Sequence, residues 1–203
     1  LNKGKRSIAI DVGTPQGQEI VTRLICAPGP GAGIFLTNLR VRGWMDYEHL
    51  KQHREDLIML TVLGTRAGGP AADYTVNPSV GFPYATGPEG SSDPVCHVLP
   101  AWDCITGQMA ALGLLAAERH RRLTGRGQSV EIALKDVALA MLGNLGIIGE
   151  TVVNNFDRPK YGNYLYGAYG NEFDTADGRK IMLVALTRRQ WDGLCQVTGL
   201  KSE

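Results

Sequence analysis

The strongest constraint on the fold is the alternation of short apolar runs with a polar helical segment in the first third of the chain. Residues 33–38, GIFLTN, and residues 57–64, LIMLTVLG, have the apolar character of buried strands. Between them, residues 46–56, DYEHLKQHRED, predict a helix that Asp46 opens. Strands that alternate with helices in this way predict an α/β fold with a Rossmann-like parallel sheet and helices on both faces.

The upstream segment extends the same pattern. Residues 7–11, SIAID, predict a short strand, and residues 14–27 predict a helix with Thr14 as its N-cap and Pro15 at its first helical position. The glycine-rich run APGPGAG at residues 27–33 follows that helix and precedes a strand. A phosphate-binding loop has the opposite order, because the start of the following helix supplies its amides. We therefore interpret this run as a connector.

The second half of the chain has a weaker pattern. Residues 64–100 are rich in Gly, Pro and Ser and predict a long loop region with one short helix near 74–84. From Ile105 the apolar positions 105, 109, 112 and 116 predict the buried face of a helix that ends near Arg122. The remaining predictions are a strand at 129–134, a largely buried helix at 135–150, a glycine–tyrosine loop at 157–170, a strand at 179–186 and a helix at 187–200 capped by Thr187.

Charge and composition limit the partners. The formal net charge of +1 over 203 residues gives no indication of a nucleic acid or a membrane surface as partner, and no apolar run has the length of a bilayer span. The four cysteines show no CxxC spacing, which is typical of thiols in a reducing cytosol, so we expect a cytoplasmic protein. His49 and His53 are four residues apart but lack the glutamate of an HExxH motif, and no metal site is expected.

Basic side chains fall near the predicted strand ends. Lys5, Arg6 and Arg40 are the examples, and ligands of α/β sheets bind at strand ends, where Arg and Lys suit phosphate groups. A solvated basic edge is the alternative, and charge alone favours it.

The stretch HVLPAWDCITG at residues 97–107 carries the densest group of reactive side chains. Asp103 is either the N-cap of the helix that follows or an ionised nucleophile near its N-terminus, and spacing alone favours the cap. His97 is either an acid–base partner of Asp103 or a structural hydrogen-bonding residue. Cys104 is either a nucleophile or a buried thiol, and its place at the start of an apolar helix favours the buried thiol.

Three long blocks of this sequence resemble the family III CoA-transferases. They are NKGKRSIAID at 2–11, the run from Phe35 to Gly64, and the run AWDCITGQMAALGLLAAERHRRLTGRGQSVEIALKDVALAML at 101–142. The resemblance implies a fragment with both flanks truncated, in which residues 1–150 are part of a CoA-binding, Rossmann-like large domain with the catalytic aspartate. Residues 151–203 would be a linker and the start of a smaller domain. It also implies a homodimer whose two chains interlock.

The resemblance also assigns roles to individual residues. It places the family's catalytic aspartate at Asp103 as a nucleophile that forms an aspartyl-CoA thioester. It implies that Tyr161, Gly162 and Asn163 form a loop that shields the intermediate and supplies an oxyanion hole, and it makes His97 a pocket wall. The elements expected to contact CoA are Asn2, Lys5 and Arg6, and then Asn38, Leu39 and Arg40; the pocket is expected to include Trp102 as well.

The blocks at 97–111, 134–146 and 158–170 resemble one branch of this family most. That branch moves CoA between the two carboxyls of one mesaconate molecule, within a carbon-fixation route that passes through 3-hydroxypropionate. CoA is then expected as part of the acyl-CoA substrate, without a permanently bound cofactor or metal. An intermolecular CoA-transferase of the formyl, succinyl or carnitine type, an α-methylacyl-CoA racemase and a non-catalytic CoA-binding piece are the alternatives. The racemase branch has a histidine before the aspartate that aligns with Asp73, and here that residue is Ala72.

Overall fold

A computed structural model describes residues 3–200 of the chain. Its contacts divide into two compact units. The first unit contains the chain up to Val76 together with Pro100–Met141, and the second contains Asn77–Leu99 together with the chain from Leu142 onward. The predicted division of the chain into domain parts 1–150 and 151–203 stays a prediction.

The described residues form eight α-helices, five strands and one short 3-10 helix. In chain order these elements are α1 (Pro15–Ile25), β1 (Ile34–Thr37), a 3-10 helix (Gly43–Met45), α2 (Tyr47–His53), β2 (Ile58–Leu63), α3 (Asp73–Ser79), α4 (Phe82–Ala85), α5 (Ala101–Thr124), β3 (Gln128–Ala133), α6 (Leu134–Asn144), α7 (Ile147–Asn154), β4 (Tyr169–Asp174), β5 (Lys180–Ala185) and α8 (Arg188–Thr198).

A three-stranded parallel sheet forms the centre of the first unit, in the order β1-β2-β3. Ile58 of β2 is aligned with Ile34 of β1 on one side and with Gln128 of β3 on the other. The middle strand is the core of the unit, since Ile58 and Leu60 are fully buried. The α/β class and the three strands predicted around residues 33–38, 57–64 and 129–134 are confirmed. The middle strand has apolar side chains on both faces, which require cover from both sides.

The predicted strand at residues 7–11 is wrong. This segment pairs with no strand among the described residues, and Ile8 keeps 66% of its surface exposed. Asp11 is instead part of a turn. Its side chain accepts from Gly13 N at 2.9 Å, and its carbonyl accepts from Thr14 Oγ1 at 2.8 Å. A run of five residues has no independent strand stability without a partner, so the local turn prevails.

Helix starts were the most predictable local feature. Thr14 caps α1 by accepting from Gly17 N at 3.1 Å, and Asp46 caps α2 by accepting from His49 N at 2.9 Å. Thr187 caps α8 in a reciprocal capping box with Gln190. All three caps were predicted, because a short side-chain oxygen directly before a helical segment is a local signal.

Helix α5 begins four residues earlier than predicted and buries a different face. Leu112 of the predicted face is 67% exposed, whereas Thr106, Ala110 and Ala117 are buried. The reason is close packing: a methyl group added at Gly113 would lie 3.3 Å from Leu60 Cδ1 of β2. Small residues therefore face the sheet along the middle of α5, and Leu112 and Leu115 lie outside.

Arg121 anchors the C-terminal end of α5 to the connector between α1 and β1. The residue is 6% exposed. Its guanidinium donates to the carbonyls of Ala32 at 2.9 Å, Gly33 at 3.1 Å and Pro30 at 3.3 Å. The glycine-rich run at 27–33 is thus a connector, as predicted, and its carbonyls are held from inside the unit.

The predicted single buried helix at 135–150 is wrong. Gly146, with φ of 77°, separates α6 from α7, and within the predicted range Leu145 and Ile148 are 52% and 43% exposed. No single helix of residues 3–200 is long and apolar enough to cross a membrane; α6 and α7 meet that length and composition only as a pair, bent by 66°.

Sequence analysis also missed strand β4. Its residues YGNEFD were assigned in part to a loop, yet they pair antiparallel with β5, with Tyr169 opposite Ala185. The side chains of β4 are mostly polar or aromatic, so its sequence alone does not predict a strand. The strand depends on pairing with β5.

Gly127 provides a test of the packing between the end of α5 and β2. A methyl group there would overlap the carbonyl of Leu57, whereas one at Gly193 in α8 meets nothing within 4 Å. We expect Gly127→Ala to lower the unfolding free energy of the full-length protein by about 1–3 kcal/mol. Gly193→Ala, the control, should stabilise it by about 0.5–1 kcal/mol. Denaturant unfolding measures both, and an unchanged midpoint for Gly127→Ala would contradict the packing described.

Candidate active site

A cleft of about 630 Å³ lies in the first unit, at the carboxyl ends of the parallel strands. This is the edge at which open α/β sheets bind ligands. The cleft brings together two residues predicted for the site, Asp103 and Asn38. Its other lining residues are small or apolar, apart from two threonines: Leu36, Thr37, Val62, Thr106, Gly107, Ala110, Ala111, Leu114 and Leu134.

Asp103 is not the N-cap of α5. The cap position is Pro100, and Asp103 is the third residue of the helix, in its first turn. The cap alternative, which spacing favoured, is therefore wrong, because the helix starts before Asp103 rather than after it. Within residues 3–200, the Asp103 carboxylate accepts no hydrogen bond, and it is exposed at the cleft.

Asp73 takes the place of the missing cap. Its Oδ2 accepts from Trp102 N at 2.7 Å and from Asp103 N at 3.1 Å, and the residue is only 3% exposed. Sequence reasoning used Asp73 only as an alignment point and did not find this role. The two partners are 29 and 30 residues away along the chain, so no local spacing signals the contact.

The electrostatic environment of Asp103 favours its protonated form more than water does. Partial burial at the cleft is the first cause that raises the pKa of Asp103, and the nearby negative charge of Asp73 is the second. The N-terminus of α5 favours a negative charge, but two of its amides are already bonded to Asp73. Asp103 is thus a carboxylate with few stabilising partners.

The predicted element 38–40 lies beside the cleft. Asn38 lines both this cleft and a second hollow of about 460 Å³, and Arg40 lines that second hollow. The Arg40 guanidinium lies against Gly68, whose missing side chain leaves room for it. Leu39 is 65% exposed, and its amide donates to Thr37 Oγ1 at 3.1 Å. The chain thus turns directly after β1 and exposes these residues.

Two other predicted CoA contacts, Lys5 and Arg6, are not among the residues that line the cleft. Lys5 and Arg6 are exposed in the segment before α1, and Asn2 lies outside the described residues. Their assignment stays a prediction.

Three residues of α5 near Asp103 differ in their surroundings. Trp102, predicted for the pocket, is 3% exposed in the core and is not among the cleft-lining residues. Cys104, predicted to be a buried thiol, is exposed, since it lies two residues and about 200° around the helix from Trp102. Thr106 lines the cleft and is 1% exposed, and its hydroxyl has no hydrogen-bond partner in residues 3–200.

The second unit holds the predicted shielding loop. Tyr161, Gly162 and Asn163 line a hollow of about 500 Å³. Gly162 has φ of +57°, and its amide donates to the carbonyl of Gly87 at 3.1 Å. Asn163 Nδ2 donates to Glu172 Oε2 at 2.9 Å. In this conformation the Gly162 amide is already bonded, so its predicted use as an oxyanion donor requires the loop to open first.

His97 also lies in the second unit and is half-buried. Its Nδ1 is 2.6 Å from the carbonyl oxygen of Leu99. This contact fixes the ring to its own loop. The predicted role as a pocket wall stays a prediction.

The sequence matches the family model described as CoA-transferase family III over residues 1–203. The chain belongs to the family III CoA-transferases. It is 62% identical over 200 residues to 2-methylfumaryl-CoA isomerase from Chloroflexus aurantiacus, covering 98% of this chain and 49% of that protein. It is 31% identical to a succinate–glutarate CoA-transferase from Agrobacterium fabrum, covering 98% of this chain and 50% of that protein.

Solved structures support the same family. A CAIB/BAIF family protein from Brucella suis superposes with a TM-score of 0.77 at 25% identity, covering 98% of this chain and 53% of that one. The chain therefore spans about half the length of the curated relatives and of the structure it matches. Among residues 3–200 of this CoA-transferase chain, no group of three or more His, Cys, Asp and Glu side chains is placed to hold a metal ion.

The raised pKa of Asp103 predicts a stability effect with a definite sign. When folding raises the pKa of a carboxyl group, that group destabilises the fold at pH values above its unfolded pKa. The destabilisation is absent below about pH 3.9. We expect Asp103→Asn to raise the melting temperature of the full-length protein at pH 7, by a margin that shrinks on acidification. Thermal melts across the pH range measure this.

Asp46→Asn is the matched control for that measurement. The amide of His49 lowers the pKa of Asp46, so the charge of Asp46 helps the fold at neutral pH. We expect Asp46→Asn to leave the melting temperature at pH 7 unchanged or slightly reduced. An Asp103→Asn variant that melts below the wild type at pH 7 would contradict the electrostatics described here.

Proposed function

We propose that the full-length protein moves CoA between the two carboxyl groups of a single dicarboxylate, converting 2-methylfumaryl-CoA into 3-methylfumaryl-CoA. The observation that carries the reaction class is the Asp103 carboxylate, which lines the cleft without a backbone hydrogen bond. Identity of 62% to 2-methylfumaryl-CoA isomerase supports the choice of substrate. The chain spans about half of that relative, so the activity is proposed for the whole protein.

The proposed first half-reaction releases CoA and then recaptures it. An Asp103 oxygen attacks the thioester carbonyl of the substrate. This step expels the CoA thiolate and forms a mixed anhydride. The thiolate then attacks the Asp103 carbonyl carbon and expels the free dicarboxylate. The product of this stage is an aspartyl-CoA thioester, so one difficult exchange is divided into easier steps.

The second half-reaction reverses these steps with the other carboxylate of the same molecule. That carboxylate attacks the aspartyl-CoA carbonyl and releases the thiolate, which gives a second anhydride. The thiolate attacks the dicarboxylate-derived carbonyl of this anhydride, and Asp103 leaves as a carboxylate. Bonds and charges balance, because each released thiolate is recaptured, the Asp103 carboxylate is regenerated and no external acid is consumed.

The cleft supports this chemistry by its composition. Apolar and small residues such as Leu36, Ala110 and Leu114 line the cleft with Asp103, and we propose that bound substrate covers them and keeps water from the anhydride and the thioester. Asn38 provides an amide group beside the reacting carboxylate, and Arg40 provides a cation in the adjoining hollow for the phosphates of CoA. We propose that Lys5 and Arg6 add to that positive charge. We also propose that the loop at Tyr161–Asn163 opens, closes again and shields the intermediate.

An intermolecular CoA-transferase is the second candidate. The succinate–glutarate CoA-transferase relative, at 31% identity, has a name that describes transfer between two different acids. A racemase has less support, because Ala72 replaces the expected histidine and Asp73 is bonded to the amides of Trp102 and Asp103.

We further propose that the full-length protein is a cytoplasmic homodimer.

Replacing the nucleophile tests the reaction class. We expect Asp103→Asn in the full-length protein to lower kcat by at least about a thousandfold, since an amide oxygen does not form the anhydride. Asp46→Asn is again the control and should retain wild-type turnover. The assay separates the two isomeric thioesters by chromatography. Appreciable isomerisation by Asp103→Asn would rule out the assignment.

Chemical trapping tests the intermediate. Hydroxylamine added during turnover should convert the aspartyl thioester into a hydroxamate at Asp103, and borohydride should reduce the thioester to the alcohol. Peptide mass spectrometry is expected to find the label at Asp103 and not at Asp73, whose carboxylate is buried. Absence of label at Asp103 in an active enzyme would contradict covalent catalysis by this residue.

Labelled acceptors separate the two candidate functions. During turnover of unlabelled substrate, free ¹³C-mesaconate or ¹³C-succinate should not enter the thioester pool if transfer is intramolecular. Incorporation in step with turnover would instead establish the intermolecular reaction. Exchange of substrate protons in deuterated water would indicate the racemase.

A further inference from the structure

We propose that Asp73 is the positioning residue of the nucleophile: by occupying the amides at the start of α5, it leaves the Asp103 carboxylate free for attack in the cleft. The inference rests on the proposed function. Asp73 itself is not assigned contact with the substrate, since it is 3% exposed and is not among the residues that line the cleft.

The first turn of α5 offers the Asp103 side chain two competing kinds of backbone partner. One is the N–H of the N-cap residue, to which an acidic side chain at the third helical position commonly reaches back. Here that residue is Pro100, which has no N–H. The other partners are the amides of Trp102 and Asp103 itself. Asp73 Oδ2 accepts from both, at 2.7 Å and 3.1 Å.

The chemical consequence concerns the electron density on the attacking oxygen. A carboxylate that accepts backbone N–H bonds is stabilised as the anion and becomes a weaker nucleophile. With both amides bonded to Asp73, Asp103 lacks this stabilisation. Partial burial and the charge of Asp73 act in the same direction, and they raise the pKa of Asp103.

A purely structural cap would not need a charge at residue 73. Asparagine and serine cap helices about as well as aspartate. An Asp73 carboxylate beside Asp103 adds a repulsion that a neutral cap would avoid, and the repulsion contributes to the raised pKa of Asp103. Through this charge, position 73 also acts on the chemistry of Asp103.

Few other titratable groups act on Asp103. The remaining residues that line the cleft from β1, from β2, from the start of α6 and from α5 itself carry no titratable side chain. Among residues 3–200, Asp73 on α3 is the only charged group that raises the pKa of Asp103. A change of charge at residue 73 should therefore be visible in the pH dependence of the reaction.

The experiment compares Asp73→Asn and Asp73→Ala with the wild type in the full-length protein. Asp73→Asn keeps an oxygen for the two amides and removes the charge. We expect it to retain the melting temperature and to move the acid limb of the kcat/KM profile to lower pH, because the pKa of Asp103 falls. Asp73→Ala removes the acceptor, so Asp103 turns back onto the amides. We expect its kcat to fall by about tenfold or more with KM within about twofold.

Arg121→Met is the matched control for loss of helix anchoring. Arg121 is buried at the other end of α5, eighteen residues from Asp103, or about 27 Å along the helix. We expect this variant to lower the melting temperature without moving the acid limb. A merely structural role for Asp73 would give the same behaviour in Asp73→Ala and an unmoved acid limb in Asp73→Asn.

The outcomes separate the two proposals. If the wild type is active and labelled at Asp103, an unmoved acid limb in Asp73→Asn overturns the positioning role alone. Wild-type kcat in a folded Asp73→Ala does the same, and if Asp73→Ala does not fold, the profile of Asp73→Asn decides. If the wild type neither transfers CoA nor takes the label at Asp103, the proposed function fails, and the positioning role fails with it.

Discussion

The two ends of α5 are the points on which the first unit depends. Asp73 bonds to the amides at its N-terminus, and Arg121 bonds to three carbonyls of the connector near its C-terminus. Between these ends, the small residues Ala110 and Ala117 lie against the sheet. Both anchoring groups are charged and almost fully buried, so removal of either one leaves backbone groups without partners, which costs more than a lost surface contact.

Local signals in the sequence predicted the features that depend on neighbouring residues. The caps at Thr14, Asp46 and Thr187 and the buried strand at 57–64 follow from side chains within a few positions of each other. The strand predicted at 7–11 failed because pairing requires a partner, and the segment has none among residues 3–200. Period and propensity describe one element at a time, and they do not contain the neighbour that completes it.

The candidate site shows the same division. Asp103 was found through the resemblance of its surroundings to a family, and the structure corrected its local setting, from N-cap to third residue of α5. The capping group, Asp73, was beyond local reasoning because it is separated from Trp102 by 29 residues. The predicted buried face of α5 was inverted, since hydrophobicity alone does not report how closely a helix must approach its sheet.

The bond between Asp73 and Trp102 also closes an excursion of the chain. The chain leaves the first unit after Val76 and returns at Pro100. The two hydrogen bonds join the Asp73 side chain, before this departure, to the backbone after the return. The entropy of closing such a loop grows only slowly with its length. Insertions or deletions between these two points therefore need not disturb the nucleophile, and relatives are free to differ there in length while they keep the same chemistry.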